Sequence, residues 1–414
     1  MPNDRKLTIK IDGLADNDFS VISLIGEEAV SKPFFYEIEL FHKDKLKAKD
    51  LLGKEATITL QNIPKKILKR YFSGRITSFA YNGTTQTEDK IYLYTIMLSP
   101  DLELMKYSCN TRSFVKKSIK DIIGEIKDKW NFPKLQFDFK FKDIVIRQVE
   151  QDKEDDYTFL DRLLARFGIY YHYEHNNGNY KLIFNDTAPP KYETIKCSLN
   201  DYKETESIGF QEVSADLYDF TSVSTTNTIL KSVKSDITSS PSLPSKIKKN
   251  MKYQYVLNTN TLSLVSLLEG VVRVRMKGGV AHAVPTFKDV EKIAKNAVTK
   301  IACSEASMQH NIYGEAIEGK EFHSEKQNEF LYSFRLGEAY KLEDVYRDLS
   351  DKALFIKELK FKIVNNSFGE KGFIEHANSV HDFFSCKFKA QPNTILFAPP
   401  LHSIKTTPIS VNFF

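Results

Sequence analysis

From Leu7 to about Leu98, apolar and polar residues alternate in short runs. Leu7, Ile9 and Ile11 alternate with Thr8 and Lys10, Phe34 to Leu40 follow Pro33, and Thr57 to Leu60 follow Gly53. A period of two puts every second side chain on one face of a strand. Tyr71 to Ile76 and Ile91 to Ile96 flank Asn82-Gly83, a pair that favours a tight turn. The pattern predicts a meander of short strands that closes into a small antiparallel barrel, since closure removes exposed sheet edges.

The period then changes to that of a helix. Ser118 followed by Asp121 reads as a capping box, and Ile119, Ile122, Ile123, Ile126 and Trp130 share one face before Asn131 and Pro133 stop the run. A second helix starts at Asp155-Asp156, carries a stripe of Phe159, Leu160, Leu163, Leu164 and Phe167, and ends where Gly168 supplies a left-handed cap. Ile169 to His175 and Tyr180 to Phe184 then bracket Asn176-Asn177-Gly178, which predicts a hairpin.

Pro189-Pro190 marks a boundary. The polar stretch to about residue 250, including Ser239 to Ser245, reads as excursions between strands. One more helix is expected from Phe287 to Ile301, with Val290, Ala294, Ala297 and Ile301 on one face. Strands resume at Leu331 to Leu336, and Pro399, Pro400 and Pro408 set an extended tail that ends in the apolar Ile409, Val411, Phe413 and Phe414. No repeat of fixed period stands out.

Composition sharpens this picture. With 414 residues, 41% of them hydrophobic, the chain can bury two or three cores, and 30 Phe and 20 Tyr against 17 Gly favour pleated sheet. The sequence therefore predicts a mainly β protein with α+β insertions. The net charge of +5 is small against 59 basic and 54 acidic residues, so no polyanion footprint is present and nucleic acid is not an expected partner. No apolar run approaches the roughly 18 residues that span a bilayer, and Met1 to Lys6 are not followed by the apolar core of a secretory signal, so stable membrane insertion is not expected. Cys109, Cys197, Cys303 and Cys386 are far apart and read as reduced core thiols.

Candidate chemistry is sparse. His172 and Glu174 share one face of a strand while His175 points to the other, so the three do not converge on a metal and read as hairpin surface. Glu150, Asp152, Glu154, Asp155 and Asp156 form an acidic cluster at a helix start and read as carboxylates near its positive end with a solvated loop. Lys65, Lys66, Lys69 and Arg70 read as a solvated face. Arg273, Arg275 and Lys277 alternate with Val272, Val274 and Met276 and form one charged face, solvated or docked on an acidic partner. No hydrolase, nucleotide or metal motif is found, so no catalytic residue, cofactor or metal is expected and the chain is not read as an enzyme.

Several segments together resemble the type VI secretion spike protein family, valine-glycine repeat protein G, related to phage late-control protein D and tail-hub proteins. The most specific is 147–186: Arg147, the acidic helix start, Phe159, Leu160, Leu163, Leu164, then Gly168-Ile169-Tyr170-Tyr171 and the hairpin around Gly178. Ile25 to Phe34, then Gly74-Arg75-Ile76 through Leu98-Ser99-Pro100 to Arg112-Ser113-Phe114, and Phe388 to Pro392 with Pro399-Pro400, agree in the same order. Residues 190–330 match loosely.

The resemblance implies a structural hub of a contractile injection machine. It implies two small antiparallel barrels of tail-hub type, at 1–105 and 189–390. An α+β insertion at 106–188 separates them, and 391–414 is a linker towards a missing tip. It further implies a homotrimer whose pseudo-sixfold platform seats a hexameric tube protein of the haemolysin-coregulated type, beside baseplate proteins and a spike tip or effector. Such a part is assembled in the cytoplasm and secreted or injected on firing. The competing readings are a cell-wall glycan hydrolase and a carbohydrate-binding tail component.

Overall fold

The alternating runs of the first hundred residues form six strands: β1 (Arg5–Ile11), β2 (Ser20–Ala29), β3 (Phe35–His42), β4 (Glu55–Asn62), β5 (Lys69–Thr84) and β6 (Tyr92–Ser99), with single helical turns α1 (Ala48–Leu51) and α2 (Asp101–Leu104). The computed structural model describes residues 5–14, 19–62, 69–84, 90–132, 135–197, 199–218, 229–236, 243–258, 273–277, 280–284, 287–317, 334–344, 349, 352–364 and 383–400. The Leu7, Ile9 and Ile11 face of β1 lies opposite Leu60, Ile58 and Ala56 of β4 and is buried with them.

The strands run in the order β1-β4-β5-β6-β3-β2, which is not the sequential meander expected. A tight connection with Ser31 in the left-handed region keeps β2 and β3 together. The chain then crosses over, and β4 pairs with β1 while β6 returns beside β3. Asn82-Gly83 is not the turn that the dipeptide suggests. Both residues lie inside β5, where a register shift between Tyr81 and Gly83 uses the positive φ of Gly83 as a bulge.

The insertion follows with β7 (Asn110–Ser118), α3 (Ile119–Trp130), β8 (Leu135–Lys140), β9 (Val145–Glu154), α4 (Asp156–Arg166), β10 (Tyr170–Asn176) and β11 (Asn179–Asn185). The local signals act as read: the Ser118 and Asp121 capping box is formed and Asn131 ends α3 in the left-handed region. Four isoleucines on one face of α3 are fully buried, each worth roughly 1.5–3 kcal/mol. β10 and β11 form the expected hairpin, with Asn176 already paired to Asn179 so that Asn177-Gly178 make the turn, and β11 adds β8 in parallel.

In the remainder come β12 (Glu193–Cys197), β13 (Asp201–Glu206), β14 (Glu212–Tyr218), β15 (Ile229–Asp236), α5 (Ser245–Lys248), β16 (Lys252–Asn258), β17 (Arg273–Lys277), β18 (Val280–Val284), α6 (Phe287–Gln309), β19 (His310–Ile317), β20 (Ala339–Asp344), β21 (Leu354–Val364) and β22 (Phe383–Pro392). The polar stretch after Pro190 thus holds four strands rather than loops alone. α6 runs past Ile301 to Gln309. The strand expected at Leu331 to Leu336 is displaced: Phe334 to Leu336 lead into a turn at Gly337 (φ 75°), and the ladder begins at Ala339, while 331–333 lie outside the described residues.

β2 and β21 pair from Ser23 with Val364 to Ala29 with Glu358, so the first strands and the last share one sheet. The path continues through β22, β19 and β13, with β20 and β12 branching from β21. Among the described residues this ladder stays an open path, closing into neither of the two expected rings. The ring of Phe361 lies over Gly26, its cross-strand partner, so closely that a Cβ there would stand 2.1 Å from it; Phe388 covers Gly314 in the same way at 2.2 Å.

Candidate functional site

The insertion is built around one carboxylate. Asp156, the first residue of α4, is fully buried. Its Oδ1 accepts from Arg112 on β7, from Asn110 Nδ2 at 3.0 Å and from Gln151 Nε2 at 2.9 Å; its Oδ2 accepts from Trp130 Nε1 at 2.8 Å and Lys129 Nζ at 3.1 Å. Burial pushes this carboxyl up, but the hydrogen bonds from Gln151, Trp130 and Lys129 and the charge of Arg112 outweigh it and hold it below its ordinary value. The acidic cluster is therefore not wholly a solvated loop. Asp155 caps α4 through Thr158 N, as its position suggests, while Asp156 turns inward and ties β7, α3, β9 and α4 together.

A second polar chain ties the hairpin to the first sheet. The backbone N–H of Ser73 donates to His175 Nδ1 at 3.1 Å, so that nitrogen carries no proton. Nε2–H then donates to Tyr36 at 2.8 Å, and the Tyr36 hydroxyl donates to Glu28 Oε1 at 2.8 Å. Glu28 lies 3.6 Å from Arg70, whose guanidinium covers the rings of Phe72 and Phe361. Burial, with the charges of Arg70 and Arg335, pushes His175 down to about 3 and keeps it neutral. His172 is also buried and pushed down to about 4, its ring against Gly337. Neither histidine is hairpin surface; only Glu174 of that trio is exposed. Arg70 is likewise buried rather than solvated, whereas Lys69 is exposed.

The third centre is a buried cation. Lys357 stands at a register shift in β21, and its Nζ donates to Ser307 O at 2.8 Å, Asn311 Oδ1 at 2.9 Å and His310 O at 3.2 Å. These oxygens close the C-terminal end of α6, where a positive charge complements the negative end of the helix dipole. The Lys357 carbonyl accepts from Val30 N at 2.9 Å, linking α6 to the β2-β3 turn. Burial, with repulsion from Lys389, pushes this ammonium down to about 7.

The motif residues named from sequence fall at one junction. Phe159, Leu160, Leu163, Leu164, Ile169, Tyr170 and Tyr171 are all buried. Gly168 (φ 63°) ends α4 against Lys300 of α6, and Gly178 (φ 83°) turns the hairpin. Tyr171 O accepts from Ser31 N at 2.8 Å, and Tyr180 OH accepts from Asp101 N at 2.7 Å. Arg147 lies on β9 and Arg273, Arg275 and Lys277 on β17, with their side chains outside the described set. Also outside it are Lys65, Lys66, Val290, Ala294, Ala297 and the tail from 401 to 414. Of the cysteines, Cys197 and Cys386 are buried thiols, Cys303 is half-buried, and Cys109 is exposed at the end of α2's loop rather than in a core. Among the described residues no three metal-ligating side chains converge, and no helix is long and apolar enough to cross a membrane.

A mainly β chain with an α+β insertion that returns as an aromatic hairpin has the fold of tail-hub proteins. The Escherichia coli c3393 protein, described as a type VI secretion component similar to the T4 tail proteins gp27 and gp5, aligns with a TM-score of 0.57 at 16% identity, covering 95% of this chain and 79% of that one. A tail protein from Neisseria meningitidis aligns with a TM-score of 0.56 at 9% identity, covering 95% and 98%. The chain belongs to the phage tail baseplate hub (GPD) family, whose model matches residues 27–244, more than half of its length. In sequence it is similar to the type VI secretion system spike protein VgrG1b of Pseudomonas aeruginosa, 28% identical over 183 residues, 41% of this chain and 23% of that protein. It is also similar to the actin cross-linking toxin VgrG1 of Vibrio cholerae, 25% identical over 191 residues, 44% and 17%. The matched part is less than a quarter of either relative's length.

Proposed function

We propose that this chain is the structural hub of a type VI secretion spike or related contractile injection particle and acts by assembly rather than catalysis. The family match over residues 27–244 carries this reading. In it, the two halves that share the β2 and β21 ladder are two small barrels, at 1–105 and 189–390, and three copies form a pseudo-sixfold platform between a hexameric tube and the piercing tip. The motif from Phe159 to Gly178 props the insertion between the halves. Arg273, Arg275 and Lys277, alternate positions on β17, form a docking face for an acidic partner, and residues 391–414 lead towards a tip. Assembly takes place in the cytoplasm, followed by secretion or injection.

The test is the mass of the purified protein by light scattering together with negative-stain images. A trimeric ring with a central hole is expected. A strict monomer that stays monomeric when the following domain of a homologous spike is fused to Phe414 would sink the hub reading.

A further inference from the structure

One surface with no residue named in the hub reading lies at the C-terminal end of α6. Ser207, Phe210, Met251, Glu305, Met308 and Gln309 line a cavity of about 350 Å³. Its apolar side chains are open to solvent: Phe210 is 38% and Met308 49% exposed, and Ile208 beside them is 61% exposed. Large apolar groups gathered at one open cavity mark an interaction surface more often than single exposed residues do. Two of the lining residues are methionines, whose unbranched, polarizable side chains adapt to an incoming group.

The walls are held rigidly. Gln309 Nε2 donates to Phe210 O at 3.2 Å and packs so close to Gly209 that a Cβ there would stand 2.3 Å from it. Gln211 N donates to Met251 O at 2.8 Å. Lys357 fixes the neighbouring turn of α6 from the other side. A wall whose backbone is tied in advance loses less ordering entropy when the pocket is filled.

One polar group faces this cavity without a partner. Among the described residues Glu305 makes no hydrogen bond or ion pair, and it is half-buried one helical turn before Met308. Desolvation by its apolar surroundings pushes its carboxyl above the ordinary value. A carboxylate in that setting gains most from a cation that arrives on an apolar stem, which satisfies it without rehydrating the pocket. The segment formed by α5 and its C-cap, which leads into the lining residue Met251, exposes Lys246 and Lys249.

We propose that this cavity is a docking site for a protein segment that places a large apolar side chain in the pocket and an adjacent arginine or lysine against Glu305. Acidic residues further along that segment face Lys246 and Lys249, so the occupant is oriented as well as bound. The site is formed within a single chain, by α6, the β13-β14 connection and Met251, so its test succeeds or fails separately from the test for a trimer.

The probe is a short fluorescent peptide carrying leucine and arginine one helical turn apart, compared with versions in which citrulline or glutamate replaces the arginine or alanine replaces the leucine. Binding to the full-length protein is followed by polarisation. The arginine peptide is expected to bind about tenfold tighter than the citrulline and alanine versions, which is roughly 1.4 kcal/mol. Glu305→Gln should erase the difference between arginine and citrulline, and Glu305→Lys should reverse the preference to the glutamate peptide. Met308→Ala should weaken every version while leaving the arginine preference in place. Circular dichroism and thermal melts confirm that each variant folds. Binding of none of the peptides, or an arginine preference that survives in Glu305→Lys, would overturn the proposal.

Discussion

The insertion and the last third of the chain each build a centre around a buried charged residue, and they handle it in opposite ways. Asp156 is met by the full charges of Arg112 and Lys129 together with neutral donors, whereas Lys357 is met by two carbonyl oxygens and an amide oxygen. Ionic partners leave the carboxylate favoured in the folded chain, while dipoles alone leave the ammonium disfavoured. Each centre crosses several elements, but only the first adds stability at neutral pH through its charge state.

The strongest break of this comparison is Asp156→Ala. It leaves the donors of Asn110, Gln151 and Trp130 without their acceptor and removes the counter-charge of Arg112 and Lys129, which are themselves partly exposed, so a loss of about 3 kcal/mol in urea denaturation is expected, the low end of the range for a broken buried pair. The wild-type contribution is present above the ordinary carboxyl value of 3.8 and disappears as the pH falls through the lowered folded value. A loss below about 1 kcal/mol at neutral pH, within the range of exposed ion pairs, would show that the centre is not a tie.

Lys357→Met should cost less, about 1–3 kcal/mol, because it leaves carbonyl acceptors unsatisfied but no unpaired charge. Its signature is the pH slope. Between about 7 and the ordinary lysine value of 10.5 the unfolded chain holds a proton that the folded chain has given up, so wild-type stability rises with pH across that window. The methionine variant should lack this rise, and parallel curves for the two proteins would refute the assignment.

A smaller effect is expected at the two covered glycines. Gly26→Ala forces the Phe361 ring out of its place and should cost about 2 kcal/mol by thermal or chemical melting, within the usual range for overpacking. A Phe361→Leu background should relieve most of that, and an undiminished cost there would point to the backbone instead. Smallest is Ser118→Ala, which removes one half of a capping box and should cost about 1 kcal/mol in the same assay.

What could be read from sequence and what could not divide along range. The capping box at Ser118, the αL cap at Gly168 and the turn at Gly178 use partners within a few residues, and all three were legible. The family motif was legible too, because the stripe on α4 and the aromatic hairpin follow each other directly. Asn82-Gly83 misled because a glycine at positive φ serves a bulge as well as a turn. Asp156, His175 and Lys357 could not be read as centres. Their partners come from Arg112, Tyr36 and Ser307, positions 44, 139 and 50 residues away, and a charged or titratable residue looks the same in sequence whether it meets water or a buried partner. The same limit hid the cavity at Met308, whose walls come from α6 and from the connections near Phe210 and Met251.

The ladder between β2 and β21 has a temporal side. Glu27 and Lys360, bridged across it at 2.9 Å, are 333 residues apart in the chain. At the roughly 5–20 residues per second of synthesis, β2 waits tens of seconds before its partner exists. During that time one long edge of the first sheet has no neighbour, and contacts of such separation are also the slowest to form once the chain is complete. The nascent protein is therefore most open to aggregation, or to pairing with another copy, over the interval before β21 emerges.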